Sequence, residues 1–223
     1  MDYQDFTLAQ LRNDGLPSFE LTERIGALNA FFEQSNYSHV AITQDGWLVG
    51  CVPNEVLTPF EASESVAVLA EEWQHFSVQE NAYWLEALEK MLLAEADIIP
   101  VVDEQRLFLG YYLLEDLELF LARTPFLTEG GTVIVVSVTK EGYALSQLTQ
   151  IVESTNTRIL GVLQTADHGS RVEITMKVVS EAIALLLAEL RRYDYRIESA
   201  LYEDLFAQQL RERSAYFEKY LNP

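Results

Sequence analysis

The residue types that most often carry out catalysis are few and scattered in this sequence of 223 residues. Cys51 is the only cysteine, and it lies within an apolar run, so we expect a buried strand residue rather than a nucleophile. The three histidines, His39, His75 and His168, stand far apart, and no HExxH, CxxC, GxSxG, GxGxxG or GxxxxGK[ST] motif occurs. The chain is therefore predicted not to be an enzyme, and neither a metal site nor a required cofactor is expected.

The charge of the chain narrows the classes of partner. The formal net charge is −20, from 15 Lys and Arg against 35 Asp and Glu, whereas nucleic-acid binding needs a basic surface. The longest apolar runs, such as residues 182–188, are far shorter than a membrane span, so no membrane insertion is expected. The first residues are polar and acidic and do not resemble a signal peptide, which makes the cytoplasm the expected location.

Two segments of the chain follow the same order of residue types. AITQDGWLVGCVPNEVL begins at Ala41, and VVDEQRLFLGYYLLEDL begins at Val101. A shift of 60 residues aligns the two copies without a gap and places Leu28 on Leu88 and Gly50 on Gly110. The repeat therefore predicts two pseudo-symmetric units that complete one core by packing against each other.

Each copy predicts the element order β-α-β-β-α. The helix covers residues 25–34 or 84–94, and the closing helix begins near residues 54–55 or 115–116. Asp45-Gly46 predicts a tight hairpin between strands 40–43 and 47–52, and residues 103–106 form the corresponding turn. In the helix at residues 84–94, Leu85, Leu88, Met91 and Leu92 have helical spacing and form the predicted buried face. The predicted core contains Leu28, Val40, Ile42, Val49, Leu88, Val101, Leu109 and Leu117.

The segments IPVVD at 99–103, LG at 109–110 and EDL at 115–117 resemble the CBS (cystathionine-β-synthase-type) domain. Such domains occur as tandem pairs called Bateman modules, and the resemblance places a pair at residues 1–127, with repeats at about 1–63 and 64–125. It implies that an adenine-containing ligand, such as AMP, adenosine or S-adenosylmethionine, binds in clefts between the repeats.

The resemblance also implies which residues hold the ligand. In the family a Ser or Thr, followed three residues later by Asp, holds the ribose; here Asp116 matches, whereas Leu113 stands at the hydroxyl position. Pro53 and Val56 occupy the equivalent positions of the first repeat, whose cleft is expected to be empty or differently used. The alternative for Asp116 is a carboxylate that only stabilises a helix start. The other ligand-site positions that the resemblance implies are Ser77 and Pro100.

After a linker at residues 129–131 the pattern changes to β-α-β-β-α-β, the ferredoxin-like order. The predicted strands are 132–138, 158–164, 171–178 and 195–197, and the predicted helices are 144–153 and 181–192. With Gly142 in the first strand–helix loop, residues 131–199 resemble the ACT domain, which implies amino-acid sensing near Gly142 and pairing with a second copy. The alternative for Gly142 is a simple turn glycine. The expected fold class is thus α/β (α+β).

An amphipathic helix is predicted for the C-terminal residues 200–223, with its pattern beginning at Glu198. It either packs on its own domain or joins two subunits. A CBS pair followed by an ACT-like domain resembles acetoin-utilisation-type bacterial proteins. Two hypotheses follow: a non-catalytic regulatory homodimer that senses a small ligand and acts on an unknown regulated protein, or a structural interaction module that has lost its ligand-binding groups.

Overall fold

The computed structural model describes residues 8–200, which fall into two compact units that divide between Ala122 and Arg123. The first unit contains two three-stranded sheets with the same topology, each formed by a parallel pair followed by an antiparallel hairpin. Its elements are β1 (Phe19–Glu20), α1 (Ile25–Gln34), β2 (His39–Gln44), β3 (Trp47–Pro53), β4 (Val78–Gln79), α2 (Trp84–Leu93), β5 (Ile98–Val102), β6 (Phe108–Leu113) and α3 (Leu114–Ala122). Short 3₁₀ helices occupy Leu8–Leu11, Asn54–Leu57 and Val66–Glu72.

The internal repeat is confirmed, but its spacing is not constant. Phe19 pairs with Ile42 in the first sheet, and Val78 pairs with Val101 in the second, 59 residues later in each case. Beyond the hairpin the spacing is 60, because Gly110 in the second sheet takes the place of Gly50. The second hairpin turn is therefore one residue longer, and the alignment without a gap was wrong for everything before the turn.

The corrected spacing explains which face of α2 is buried. Leu28 corresponds to Ala87 rather than to Leu88, and Ala87 and Met91 are the buried residues of α2. The prediction for Leu85 and Leu92 was wrong, since these side chains are 58% and 66% exposed. Three predicted core residues, Val49, Leu88 and Leu109, are only half-buried, whereas the other five are buried.

The two copies end with different elements. The second ends with α3, as predicted, but the first has only the 3₁₀ helix Asn54–Leu57 where a full helix was expected. Pro59 explains the difference, because it lacks the backbone N–H that a second helical turn would need.

The two repeats are joined by an exchange of chain segments. Asn13, which precedes β1, pairs with Tyr111 of the second sheet, and Gln74, which precedes β4, pairs with Cys51 of the first sheet. Gly110 is required here, because its φ is +141° and a Cβ would lie 2.6 Å from the carbonyl oxygen of Asn13. Where the sheets meet, a shared cluster contains Ala41, Leu48, Ile98, Val102, Tyr111 and Leu113.

The second unit has the ferredoxin-like fold that the sequence predicts. Its elements are α4 (Pro125–Thr128), β7 (Thr132–Thr139), α5 (Leu145–Ser154), β8 (Arg158–Asp167), β9 (Arg171–Val179), α6 (Ile183–Arg192) and β10 (Arg196–Ala200). The sheet has the order β10-β7-β9-β8, all neighbours are antiparallel, and α5 and α6 share one apolar core with it. The strand predicted for 195–197 continues to Ala200, so the expected start of a helix at Glu198 was wrong. Residues 201–223 of that helix lie outside the described residues.

Candidate functional site

Ser38 and Asp97 occupy equivalent positions of the two repeats, and they bond directly to each other. The backbone N–H and the hydroxyl of Ser38 donate to Oδ1 of Asp97 at 2.9 and 2.7 Å, and the backbone N–H of Asp97 donates to Ser38 Oγ at 3.0 Å. Their carbonyl oxygens accept from the equivalent N–H groups of Asn54 and Leu114, each at 2.8 Å. The pseudo-two-fold axis of the first unit therefore passes between these two residues.

A cleft opens on each side of this pair. Cleft 1, of about 540 Å³, is lined in part by Ser38, Pro53 and Glu55. Cleft 2, of about 640 Å³, is lined in part by their counterparts Asp97, Leu113 and Glu115. The clefts are thus pseudo-symmetric copies of one site, and their differences come from the substitutions between the repeats. Cleft 1 is also lined by His39, Gln74 and Glu95, and cleft 2 is also lined by Ser35, Tyr37 and Glu118.

Both clefts are acidic. Neither Lys nor Arg is among the described residues that line them. Asp97, Glu115 and Glu118 line cleft 2, and Glu55 and Glu95 line cleft 1. Burial raises the pKa of the Tyr37 hydroxyl, and the charges of Glu115, Asp97 and Asp116 raise it further. An anionic ligand would therefore be repelled in either cleft unless it brought its own counter-ion.

His39 is the residue that most distinguishes cleft 1. Its side chain is buried, its ring contacts the Phe76 ring edge-on at 5.4 Å, and its Nδ1 lies 2.9 Å from Ser38 Oγ. Since the Ser38 hydroxyl proton is used by the Asp97 carboxylate, Nδ1 is the donor to Ser38, and Nε2 of the neutral ring is an acceptor.

The other ring nitrogen of His39 has no such partner. Nε2 is closed off from solvent and makes no hydrogen bond of normal length and angle with any described residue. Burial lowers the pKa of His39; the Gln74 side chain and the charges of Asp97 and Glu55 oppose that shift without cancelling it. The ring is therefore held in its neutral form with a free acceptor.

The residues that the resemblance implied for ligand binding are only partly brought together. Leu113 lines cleft 2, whereas Asp116, Ser77 and Pro100 are not among the described residues that line either cleft. Gly142 lies in the second unit, where its N–H donates to the Thr139 carbonyl at 3.0 Å. The ligand-binding roles of these five residues stay predictions.

Asp116 lies in the first turn of α3, close enough to Tyr37 to affect its pKa. Burial and then the charge of Glu115 raise the pKa of Asp116, while a hydrogen bond with the backbone of Leu113 lowers it. That bond is the one expected of a carboxylate that stabilises a helix start. Asp116 thus has a local structural role at the start of α3, next to Glu115, which lines cleft 2. Pro100 is buried opposite Tyr111, and the Ser77 carbonyl accepts from Lys90 Nζ at 2.8 Å.

Sequence reasoning missed Ser38, His39 and Asp97. The signal that could have revealed the pair is the spacing of 59, which places Ser38 and Asp97 at the same point of each repeat, directly before β2 and β5. Cys51, in contrast, is a buried strand residue as expected: burial raises the pKa of its thiol to about 12, and the thiol donates to the Phe76 carbonyl.

Within residues 8–200, no three side chains of His, Cys, Asp or Glu come together as a metal site. In the same range, each helix is too short or too polar to cross a membrane.

No protein-family model matches the sequence, and the comparison with curated proteins finds no match. Solved structures similar to the chain include a CBS domain pair/ACT domain protein from Thermotoga maritima, with 20% identity over 52% of this chain and 96% of that chain and a TM-score of 0.47. The CBS domains of a transcriptional regulator from Streptococcus pneumoniae show 16% identity over 51% of this chain and 98% of that chain, with a TM-score of 0.46.

A third similar structure is the CBS domain of a bacterial CNNM/CorC family Mg²⁺ transporter in complex with ATP. It shows 18% identity over 50% of this chain and 84% of that chain, with a TM-score of 0.41. These similar structures are CBS-domain proteins, the family that the sequence resembles.

Proposed function

We propose that the first unit is a regulatory, non-catalytic module that binds a small ligand in the clefts between its two repeats. The observation that carries the proposal is the position of the clefts, which open on both sides of the Ser38–Asp97 contact. A ligand in either cleft would contact residues of both repeats, so its binding energy can favour one arrangement of the repeats over another. A regulated protein partner would then respond to that arrangement.

The acidic lining favours an uncharged, zwitterionic or cationic ligand. For an adenine-containing ligand we expect adenosine to bind more tightly than AMP, and AMP more tightly than ATP, because each phosphate adds negative charge near Asp97 and Glu115. Asp116, which follows the cleft-lining residue Glu115 in the chain, is the carboxylate proposed to accept hydrogen bonds from the ribose hydroxyls.

Calorimetric titration of the full chain with adenosine, AMP, ATP and S-adenosylmethionine tests this proposal. Asp116→Asn should weaken adenosine binding by about 1.5–3 kcal/mol, the usual value for a hydrogen bond to a charged group. Glu104→Gln, which changes an exposed carboxylate of the second hairpin, is the matched control and should bind like the wild type. Tighter binding of ATP than of adenosine would contradict the electrostatic argument, and equal affinity of Asp116→Asn would contradict the ribose assignment.

The second candidate function is a structural interaction module without a ligand. Pro53 and Leu113, neither of which has a side-chain hydrogen-bonding group, occupy equivalent positions in the two clefts and favour this alternative. A thermal-shift screen with adenine compounds, cyclic dinucleotides and amino acids separates the two functions, because a ligand that binds the folded state raises its unfolding temperature. No shift with any compound would favour the interaction module.

For the second unit we propose an ACT-like role, with amino-acid sensing near Gly142 and assembly into a homodimer. Its sheet ends at β8, whose outer edge has no strand beside it among the described residues, and Leu163 of that strand is 55% exposed. An open edge of ten residues favours pairing with a second copy. Light scattering of the full chain should give the mass of a dimer, and a monomer at tens of micromolar would contradict this part of the proposal. The cytoplasm stays the predicted location.

A further inference from the structure

Cleft 1 contains an acceptor that cleft 2 lacks. His39 lines cleft 1, whereas the equivalent residue of the second repeat is Ile98, so the difference between the two sites is chemical as well as geometric. The side chain of His39 is 4% exposed, and its Nε2 makes no hydrogen bond of normal length and angle with any described residue, although the Gln74 side chain interacts with the ring. A buried acceptor without a partner is uncommon, because burial removes its hydrogen bonds to water. This nitrogen therefore suits a donor group that a ligand brings.

The charges around His39 indicate which donor fits. Glu55 and Glu95 line the same cleft, and Asp97 is connected to His39 through the Ser38 hydroxyl. Because neither Lys nor Arg is among the described residues that line the cleft, nothing in the lining offsets these negative charges. A donor with a positive charge satisfies both the acceptor and the carboxylates.

We propose that cleft 1 binds a ligand with a protonated amino group, which donates to His39 Nε2 while Glu55 and Glu95 balance its charge. An ammonium group has three N–H donors and no acceptor, which matches one imidazole nitrogen and two carboxylates. The inference rests on the proposed function in one respect, namely that the clefts between the repeats are ligand sites. It makes the two clefts different sensors, one for an organic amine and one for a neutral ligand such as adenosine.

Three small probes separate charge from hydrogen bonding. Putrescine has charge and N–H donors, tetramethylammonium has charge without donors, and 1,4-butanediol has donors without charge. Nuclear magnetic resonance of the full chain, labelled with ¹⁵N in its histidines, follows the ring nitrogens during each titration. We expect putrescine alone to shift the Nε2 signal of His39, and calorimetry to give it the highest affinity of the three.

Variants test the assignment to His39. His39→Phe keeps a ring next to Phe76 but removes the acceptor, and it should weaken putrescine binding about ten- to a hundredfold. His168→Phe, at an exposed histidine of the second unit, is the matched control and should leave the affinity unchanged. His39→Leu, which also lacks an acceptor, is the second variant if His39→Phe does not fold, which the tryptophan fluorescence of the first unit reports.

Several results would overturn the inference. They are the absence of a putrescine-dependent shift at His39 in the wild type, equal affinity for tetramethylammonium, and unchanged affinity in a folded His39 variant. Adenosine binding, measured on the same samples, distinguishes a failure of the amine site from a failure of the proposed function. Adenosine binding without putrescine binding rejects only the amine site, whereas the absence of both rejects the proposed function as well.

Discussion

Ser38→Ala tests whether the bond between the repeats stabilises the first unit. The Ser38 hydroxyl takes part in three hydrogen bonds, one to Asp97 Oδ1, one from the backbone N–H of Asp97 and one with His39 Nδ1. At about 1 kcal/mol for each bond, with an allowance for water that replaces some of them in this half-buried position, the free energy of unfolding should fall by about 2–3 kcal/mol. The backbone bond from Ser38 N–H to Asp97 is retained, so the repeats should still pair.

Tryptophan fluorescence in urea measures this change, because all three tryptophans, Trp47, Trp73 and Trp84, belong to the first unit. The transition therefore reports the unfolding of that unit alone. Ser35→Ala is the matched control: the Ser35 hydroxyl is buried without a partner among the described residues, so its removal should cost almost nothing. If Ser38→Ala and Ser35→Ala differed by less than about 0.5 kcal/mol, the Ser38–Asp97 bond would not stabilise the unit.

The same fluorescence assay checks three further predictions. Leu28→Ala, in the core of the first repeat, should cost about 2–5 kcal/mol, and Leu88→Ala should cost less than half of that, since Leu88 is half-buried; equal losses would contradict the corrected register. Tyr111→Phe removes the buried hydroxyl that accepts from the Ala41 N–H at 2.9 Å and should cost about 1–3 kcal/mol, whereas wild-type stability would show that this bond is dispensable. Burial lowers the pKa of His39 below its unfolded value, so the unfolded chain takes up a proton at a higher pH than the folded chain does. The contribution of neutral His39 to the free energy of unfolding is therefore complete above about pH 6.5 and is lost as the pH falls below that value. The free energy of unfolding should depend less on pH in His39→Gln than in the wild type, and an unchanged pH profile would show that His39 does not cause this dependence.

The sequence by itself determined the elements whose causes are local. Asp45 and Gly46 have φ values of 53° and 81°, the backbone that an Asp-Gly pair favours in a two-residue hairpin turn. The alternation of apolar residues predicted β9, because side chains on a strand point to opposite faces, and Val172, Ile174, Met176 and Val178 are indeed the buried ones. The repetition of one pattern also predicted the two copies of the unit, except that the first copy ends in a 3₁₀ helix instead of the expected full helix.

Helical phase in α2 was decided by tertiary structure. Apolar residues are distributed around much of the helix when Trp84, Ala87 and Leu93 are counted with Leu85, Leu88, Met91 and Leu92, so periodicity alone could not select its buried face. The face was settled by packing against β5, which buries Ala87 and Met91. The alignment of the repeats depended in turn on the length of the second hairpin, which is defined only when its strands pair.

The candidate site was likewise decided by the tertiary structure. Ser38 and Asp97 are 59 residues apart and become partners only because the two repeats pack around a pseudo-two-fold axis. The same packing closes solvent off from His39 and leaves its Nε2 without a described partner. Local sequence determines the hydrogen-bonding groups that each residue carries, but burial and partners arise from contacts between distant segments, and these contacts exist only in the folded chain.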